Sequence, residues 1–164
     1  VLVIGTFFRG GSSLDGVMTT TAAVDGSDAT ARISNMVKKS KFYTQLRAIM
    51  LNGIAVGGFN VIDIQKLSTA TKIPVIVVMR NYPEAGKIKA TLARLGMKGK
   101  VKLIEKAGTI HKAGKVYIQL SGCSLEKAKE LMKISCTRSH IPEPIRVAHL
   151  MAAGVKLGES KGRA

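Results

Sequence analysis

Residues 48–60 read AIMLNGIAVGGFN, and this stretch decides the fold because an apolar segment runs directly into a glycine-rich loop. The near-continuous apolar run at 46–51 is typical of a strand that is covered on both faces. Asn52 stands where that strand ends, and the loop behind it contains Gly53, Gly57 and Gly58. Because glycine adopts positive φ angles and lets backbone approach another segment closely, the stretch predicts a buried strand with a polar side chain at its end and a tight turn behind it.

Sequence patterns on both sides of this stretch predict further strands and helices. On its amino-terminal side, strands over 1–8 and 14–24 are joined by a hairpin at Arg9-Gly10-Gly11, and Ser27 opens a helix. On its carboxyl-terminal side, the predicted order is helix 61–71, buried strand 73–79, helix 87–95, strands 101–108 and 115–122, helices 124–134 and 145–155, and a polar tail at 158–164. This order predicts one α/β domain over residues 1–164, with a mixed sheet and helices on both faces.

The chain carries a large excess of positive charge. Its 164 residues contain 26 Lys and Arg against 10 Asp and Glu, which gives a formal net charge of +16. Such an excess predicts an anionic partner, most simply DNA or RNA. The basic residues are dense over 87–115, where Glu105 is the single acidic residue. Two interpretations stay open: a phosphate-binding surface, or a solvated lysine-rich face of the kind found in heat-adapted proteins.

Cysteine usage and hydropathy bear on the cellular setting. Cys123 and Cys136 lie far apart and form no CxxC, so we expect neither a zinc site nor a disulfide framework. The sequence has no run of 18 apolar residues and no recognisable signal peptide, so we expect no membrane partner. These features predict a protein of the reducing cytoplasm and leave its oligomeric state open.

Polar residues follow three of the predicted strands: Asp25, Asn52 and Arg80. In open α/β sheets, ligands gather at the carboxyl ends of the strands, so we expect these three residues at one edge. Oxygen ligands clustered at such an edge are typical of phosphodiesterases in which divalent metal ions activate water. Asp25 and Asn52 are therefore the candidate metal ligands, and Mg²⁺ is the candidate ion. The alternative is structural, with Asp25 capping the following helix and Asn52 forming a turn.

Several motifs together resemble one known family. The segment LRAIMLNGIAVGGFNVIDIQKLSTATKIPVIVVMR at 46–80 is similar to the core of endonuclease V, in which one strand ends in V-D-G and a later one in G-V-A-K. The segments KVYIQLSGCSLEKAKELM at 115–132 and SHIPEPIRVAHLMAA at 139–153 resemble the elements that close that fold. The VxGTxFRGGS pattern at 3–12 and the VDG-DAT segment at 24–30 are similar to an archaeal branch of these proteins, known as domain of unknown function 99.

The resemblance implies a ribonuclease H-like, endonuclease V-like fold and a metal-dependent cut in DNA or RNA at deaminated purines. Residue by residue, it implies catalytic positions for Asp25, Asn52 and His149, and a nucleic-acid contact for Arg80. It also implies a first strand, bearing a catalytic Asp, that this chain lacks. Asn52 stands where the family has Asp. The amide removes one negative charge from a metal site that ordinarily relies on carboxylates.

Three functions are compatible with these observations. The first is a nucleic-acid-binding protein of the endonuclease V-like fold with degenerate metal-dependent phosphodiesterase activity; Asn52 favours this function and the third. The second is an active Mg²⁺-dependent endonuclease acting at deaminated purines, and the third is a non-enzymatic component of an RNA or protein assembly. The net charge fits all three. The candidate nucleic-acid contacts are Arg80, Lys106, Lys112 and Arg146.

Overall fold

The computed structural model describes residues 1–160 and contains both strands and helices in alternation. The strands are β1 (Leu2–Arg9), β2 (Ser13–Thr21), β3 (Ile49–Asn52), β4 (Ala55–Val56), β5 (Asn60–Val61), β6 (Val75–Met79), β7 (His111–Ala113) and β8 (Val116–Ser121). The helices are α1 (Ala29–Lys39), α2 (Ile64–Thr71), α3 (Ala85–Arg94), α4 (Lys98–Lys106), α5 (Leu125–Ser135) and α6 (Glu143–Leu157). Residues 161–164 of the predicted polar tail lie outside the described residues.

The strands form a mixed arrangement. A four-stranded sheet has the order β3-β6-β8-β7, in which β3 and β6 are parallel and the other neighbours are antiparallel. The parallel pair is connected through α2, because parallel strands need a crossover rather than a tight turn. β1 and β2 form a separate antiparallel hairpin, and β4 and β5 pair within the glycine-rich loop. The predicted mixed α/β sheet is confirmed.

Strand β6 shows how the core is divided between the two faces of the sheet. Its residues alternate, as successive side chains of a strand must. Val75 and Val77 join the cluster formed with α1 and α2, whereas Ile76 and Val78 join the cluster formed with α5 and α6. All four are essentially inaccessible to water, and burying each such side chain stabilises the fold by about 1.5–3 kcal/mol. The predicted cover of helices on both faces is confirmed.

The prediction of a strand over 101–108 is wrong, since residues 98–106 form α4. The alternation of Val101, Lys102 and Leu103 suggests a strand, but the positions turned inward are three or four residues apart. Lys100 and Ala107 are buried, and Leu103 and Ile104 are half-buried between them. That spacing is helical. The antiparallel partner of β8 is instead the short strand β7.

The hairpin and the four-stranded sheet lie on either side of an open slot. No described strand pairs with the second edge of β1 or with the second edge of β3. The two strands run in opposite directions: the end of β1 approaches the residues before β3, where Arg9 Nη2 donates to Gln45 Oε1 at 3.0 Å. The beginning of β1 lies beside the loop after β3, where Val1 faces Gly57.

The expectation that β3 is covered on both faces is confirmed. Ile49 and Leu51 pack in the cluster formed with α1 and α2, and Met50 packs against the cluster formed with α5 and α6. Met50 and Leu51 are nevertheless only half-buried, because the slot runs along the unpaired edge of the strand. Of the helices in residues 1–160, none has the length and apolar character that crossing a bilayer requires.

Candidate functional site

The carboxyl edge of the sheet carries two of the predicted site residues. Asn52 ends β3 opposite Val78 of β6, and Arg80 follows β6 directly. The Gly53 N–H donates to the Val78 carbonyl at 3.0 Å, which extends the parallel ladder by one step beyond β3. Both Asn52 and Arg80 are exposed. Their side chains therefore meet solvent at the same edge, as the strand-end pattern predicts.

Asp25 joins this edge through the glycine-rich loop. Its N–H donates to the Gly57 carbonyl at 2.8 Å, and its Oδ1 accepts from the Phe59 N–H at 2.8 Å. A Cβ on Gly58 would overlap that same Oδ1, so only glycine permits the approach. Asp25 itself has a φ of 51°, in the left-handed region that Asp tolerates better than most residues. Asp25 thus fastens the loop and does not cap the following helix, contrary to the structural alternative.

A buried amide behind Asp25 organises the same turn, and the sequence pattern did not single it out. Asn60 is fully buried. Its Oδ1 accepts from the Ala29 N–H at 3.1 Å, and its Nδ2 donates to the Ala23 carbonyl at 2.9 Å and to Asp28 Oδ1 at 2.7 Å. The first N–H of α1 is therefore satisfied from the loop rather than by the predicted cap, Ser27. The hydrogen bond from Asn60 lowers the pKa of Asp28 to about 2, with further contributions from the Ala23 N–H and Arg32.

Lys100 is a second residue that the sequence did not reveal, because it lies within a run of surface lysines. Its side chain is buried, with 9% exposure, and its Nζ donates to the Asp25 carbonyl at 2.5 Å. The contact spans 75 positions in the chain. It fixes the amino-terminal half of α4 beside the Asp25 turn. The strand predicted over 101–108 also concealed this role, since a helix starting at Lys98 places Lys100 on its inner side.

His149 lies on α6 and lines the slot together with Asn52 and Gly53. The slot has a volume of about 600 Å³. The Nε2 atom of His149 is buried and has no hydrogen-bond partner among the described residues. Asp25 is not among the residues that line the slot. The predicted catalytic set is therefore divided: His149 and Asn52 share the slot, and Asp25 lies on the loop beside it.

The four candidate nucleic-acid contacts differ in their surroundings. Arg80 follows Met79 of β6, and Lys112 lies two strands away on β7 at the same level of the sheet, since Met79 and Lys112 both pair with Tyr117. Lys106 Nζ pairs with Asp63 Oδ2 at 2.6 Å. Arg146 donates to both carboxylate oxygens of the buried Glu143, at 2.8 and 2.6 Å, and this lowers the pKa of Glu143. Nucleic-acid contacts by these four residues stay predictions.

The donor set at the carboxyl edge does not by itself suit Mg²⁺. Residues 1–160 contain no group of three or more His, Cys, Asp and Glu side chains placed to hold a metal ion. Asp25 has one oxygen engaged by Phe59, and Asn52 offers a neutral amide oxygen. Mg²⁺ sites in proteins rely on carboxylates. The two residues together supply a single negative charge, so a Mg²⁺ centre at this edge needs a further acidic ligand.

Comparison with known proteins assigns the chain to a family. It is 52% identical over 169 residues to a UPF0215 protein of Methanothermobacter thermautotrophicus, a match that covers all of this chain and 83% of the relative. It is 47% identical over 172 residues to a UPF0215 protein of Methanosarcina acetivorans, covering all of this chain and 87% of that one.

A solved structure has a similar fold. This structure, of a protein of unknown function from Archaeoglobus fulgidus, superposes with a TM-score of 0.87 at 37% identity, covering 94% of this chain and 96% of the other. The family model described as endonuclease dU matches residues 1–156. These residues are nearly the whole chain and include the edge built by Asp25, Asn52 and Arg80. The chain therefore belongs to the endonuclease dU family, an archaeal group related to endonuclease V.

Proposed function

We propose that this protein binds DNA or RNA through a basic surface on α3 and α4 and holds the bound strand at the carboxyl edge of the sheet. The observation that carries the proposal is the 2.5 Å contact from Lys100 to Asp25. This contact anchors the lysine-rich helix α4 beside Asp25, which belongs to the VDG-DAT segment at 24–30. A strand whose phosphates contact that helix would lie beside the turn that contains Asp25.

The basic surface is defined by Arg94, Lys98 and Lys102, which are exposed and form no ion pair with another described residue. Their neighbours are partly neutralised: Lys89 pairs with Glu105 at 3.1 Å, and Lys87 with Glu84 at 2.7 Å. The surfaces of heat-adapted proteins carry many ion pairs such as those of Lys89 and Lys87. Three cations without such partners, beside a candidate site, support a phosphate-binding surface instead.

A pair of charge reversals tests where the nucleic acid binds. Lys98→Glu combined with Lys102→Glu changes two exposed positions four residues apart on α4. Lys129→Glu combined with Lys133→Glu makes the same change on α5 and leaves the net charge equal. Fluorescence anisotropy with a labelled 20-nucleotide strand is expected to show at least about a tenfold loss for the α4 variant, because each lost phosphate contact weakens binding across all sequences. Equal losses in the two variants would show that net charge alone drives binding and would refute the assignment.

The substrate class follows from the family. The family description, endonuclease dU, favours strands that contain deoxyuridine, and the relation to endonuclease V favours strands with deaminated purines. We propose that the bound strand carries a deaminated base. Because the described residues supply one carboxylate at the edge, we further propose that the protein binds such strands and that its cleavage activity is degenerate.

A cleavage assay separates a degenerate centre from an active one. The full natural chain is incubated with Mg²⁺ or Mn²⁺ and labelled duplexes containing deoxyuridine, deoxyinosine or only ordinary bases. The proposal predicts binding without cleavage, and a gain of cleavage in Asn52→Asp but not in Asn81→Asp, which adds the same charge at an exposed position next to Arg80. Cleavage by the unaltered protein that is lost in Asp25→Asn would establish the second candidate, an active endonuclease, which the match over residues 1–156 favours.

A further inference from the structure

The carboxyl edge of the sheet carries two tyrosine rings that contact each other. Tyr82 lies in the segment after β6, and Tyr117 lies on β8. Their ring centroids are 5.4 Å apart and their planes meet at 86°, which is an edge-to-face arrangement. Tyr82 is nevertheless 61% exposed, whereas Tyr117 is half-buried. A large part of the Tyr82 ring is therefore open to a ligand.

Tyr117 lies on the same face of the sheet as α4. Successive side chains of β8 point to opposite faces. Val116 and Ile118 join the cluster formed with α5 and α6, so Tyr117 and Gln119 lie on the other face. There Gln119 Nε2 donates to the carbonyl of Gly108, just beyond the end of α4, at 3.0 Å. The aromatic pair and the helix that carries part of the basic surface are therefore on one side of the sheet.

Positive charge lies on both sides of the aromatic pair. Arg80 follows β6, on one side of β8, and Lys112 is on β7, on the other side. Lys112 pairs directly with Tyr117, so their side chains are neighbours on the same face. Lys112 is exposed and forms no ion pair with another described residue. Proteins that bind single strands combine cations that attract the backbone with aromatic rings on which bases stack.

The Tyr82 ring is held in place before any ligand arrives. Pro83 follows Tyr82, and a residue before proline is restricted to extended conformations. The contact with Tyr117 restricts the ring further. A side chain fixed in this way loses little conformational freedom on binding. The third tyrosine of the chain differs, because the Tyr43 hydroxyl donates to the Thr71 carbonyl at 2.6 Å and its ring packs against the core.

We propose that Tyr82 stacks on an unpaired base of the bound strand and that Tyr117 holds the Tyr82 ring in position. The inference rests on the proposed nucleic-acid binding and narrows it, because the strand has to be single where it crosses this edge. A base inside a duplex is stacked on its neighbours and presents neither face to Tyr82. Every base has a flat π-face, so this contact adds affinity without selecting one base.

Two strands with the same number of phosphates test the stacking. One is an oligothymidine of about 20 nucleotides, longer than a typical single-strand site, and in the other a tetrahydrofuran spacer replaces every nucleoside. In fluorescence anisotropy, Tyr82→Leu is expected to weaken binding of oligothymidine by about tenfold or more and to leave binding of the base-free strand unchanged. Tyr82→Phe keeps the flat ring and is expected to bind both strands within about threefold of the wild type.

The salt dependence of binding separates this inference from the proposed function. Tyr82→Leu removes no phosphate contact, so its log–log slope against salt is expected to equal that of the wild type. Unchanged oligothymidine affinity in Tyr82→Leu, or equal losses on the two strands, would overturn the stacking role and leave nucleic-acid binding intact. If the wild type binds neither strand in a salt-dependent way, the inference and the proposed function both fail.

Tyr117 is a positioning residue in this account, and a double variant tests that role. Tyr117→Leu alone is expected to weaken binding of oligothymidine by less than Tyr82→Leu does. In the Tyr82→Leu background the same change is expected to have no further effect, because Tyr117 acts through the Tyr82 ring. Additive losses in the double variant would overturn the positioning role.

Discussion

Asn60 illustrates at the scale of the residue what the glycine-rich loop is for. Its buried amide joins three segments: the end of the β2 region at Ala23, the turn at Asp28 and the start of α1 at Ala29. The sequence predicts the loop and its glycines but gives no sign of this role. An Asn at the end of a loop is usually a turn residue, and only the fold shows that its side chain points into the protein. The same contacts fix the turn that contains Asp25.

Two glycines in the loop allow the contact with Asp25 to be isolated. Gly53 and Gly58 have φ angles of 80° and 81°, so alanine pays the same left-handed strain at both, about 1–2 kcal/mol. A Cβ at Gly53 meets nothing, whereas one at Gly58 displaces the Asp25 carboxylate from Phe59. Gly58→Ala is therefore expected to lower the free energy of unfolding by about 1.5–3 kcal/mol more than Gly53→Ala, the range for a hydrogen bond to a charged group. Urea titration measures the difference, and equal losses would show that Asp25 does not fasten the loop.

Asp28 predicts a specific dependence of stability on pH. Its pKa is about 2 in the folded protein, below the ordinary value of 3.8, because the ionised form accepts hydrogen bonds from Asn60, Ala23 and Arg32. Folding favours the ionised form, so this contribution is complete above the unfolded pKa and is lost as the pH falls through about 2. Asp28→Asn is expected to be less stable than the wild type at neutral pH, with a gap that narrows from pH 4 towards pH 2. Urea midpoints across that range test it; a gap independent of pH would contradict the assignment.

At the scale of the element, the sequence predicts best where one periodicity dominates. β6 and α5 follow their apolar patterns closely, because each has a core face that is covered along its whole length. The sequence predicts a strand where α4 lies because apolar and charged residues alternate at Val101, Lys102 and Leu103. Its real inner face includes a lysine, which no apolar pattern can reveal. The site residues show the same contrast. The strand pattern predicts that Asn52 and Arg80 lie at one edge of the sheet, whereas the role of Lys100 is evident only from the folded structure.

The segment Pro142-Glu143-Pro144 at the start of α6 has a structural explanation. Glu143 is buried, and Arg146 one turn later donates to both of its oxygens. Arg146→Ala leaves the buried carboxylate without its main partner, so we expect a loss of about 2–3 kcal/mol in the free energy of unfolding. Arg138→Ala is the matched control. Arg138 is 77% exposed and 3.9 Å from the same carboxylate, and such exposed pairs contribute less than about 1 kcal/mol.

The comparison also decides between two roles of Arg146. If the structural role is correct, Arg146→Ala lowers the unfolding midpoint in the absence of nucleic acid, and thermal unfolding of the free protein detects it. An Arg146 variant that unfolds like the wild type but loses nucleic-acid affinity would instead support the predicted phosphate contact. The pair Glu143→Gln and Arg146→Ala, measured singly and together, gives the coupling between the two side chains.

At the scale of the whole molecule, the apolar slot and the basic surface lie in different parts of the fold. The slot and His149 lie between the hairpin and the sheet, covered by α1 and α6. The basic surface of α3 and α4 is attached at the carboxyl edge through Lys100 and Asp25. The net charge of +16, read directly from the sequence, predicts an anionic partner. It could not predict which lysines remain without ion-pair partners, since Asp63 and Glu105 are brought to theirs only by tertiary packing.

The salt dependence of binding tests the nucleic-acid account most directly. The apparent association constant of the protein for a labelled single strand is measured between about 50 and 300 mM KCl. The logarithm of this constant falls linearly with the logarithm of the salt concentration, with a slope of about −0.7 for each phosphate contact. Contacts from Arg94, Lys98, Lys102 and Arg80 predict a slope of about −3 on a log–log plot. The Lys98→Glu, Lys102→Glu variant is expected to flatten it by about 1.4. A slope near zero for the wild-type protein would contradict the account.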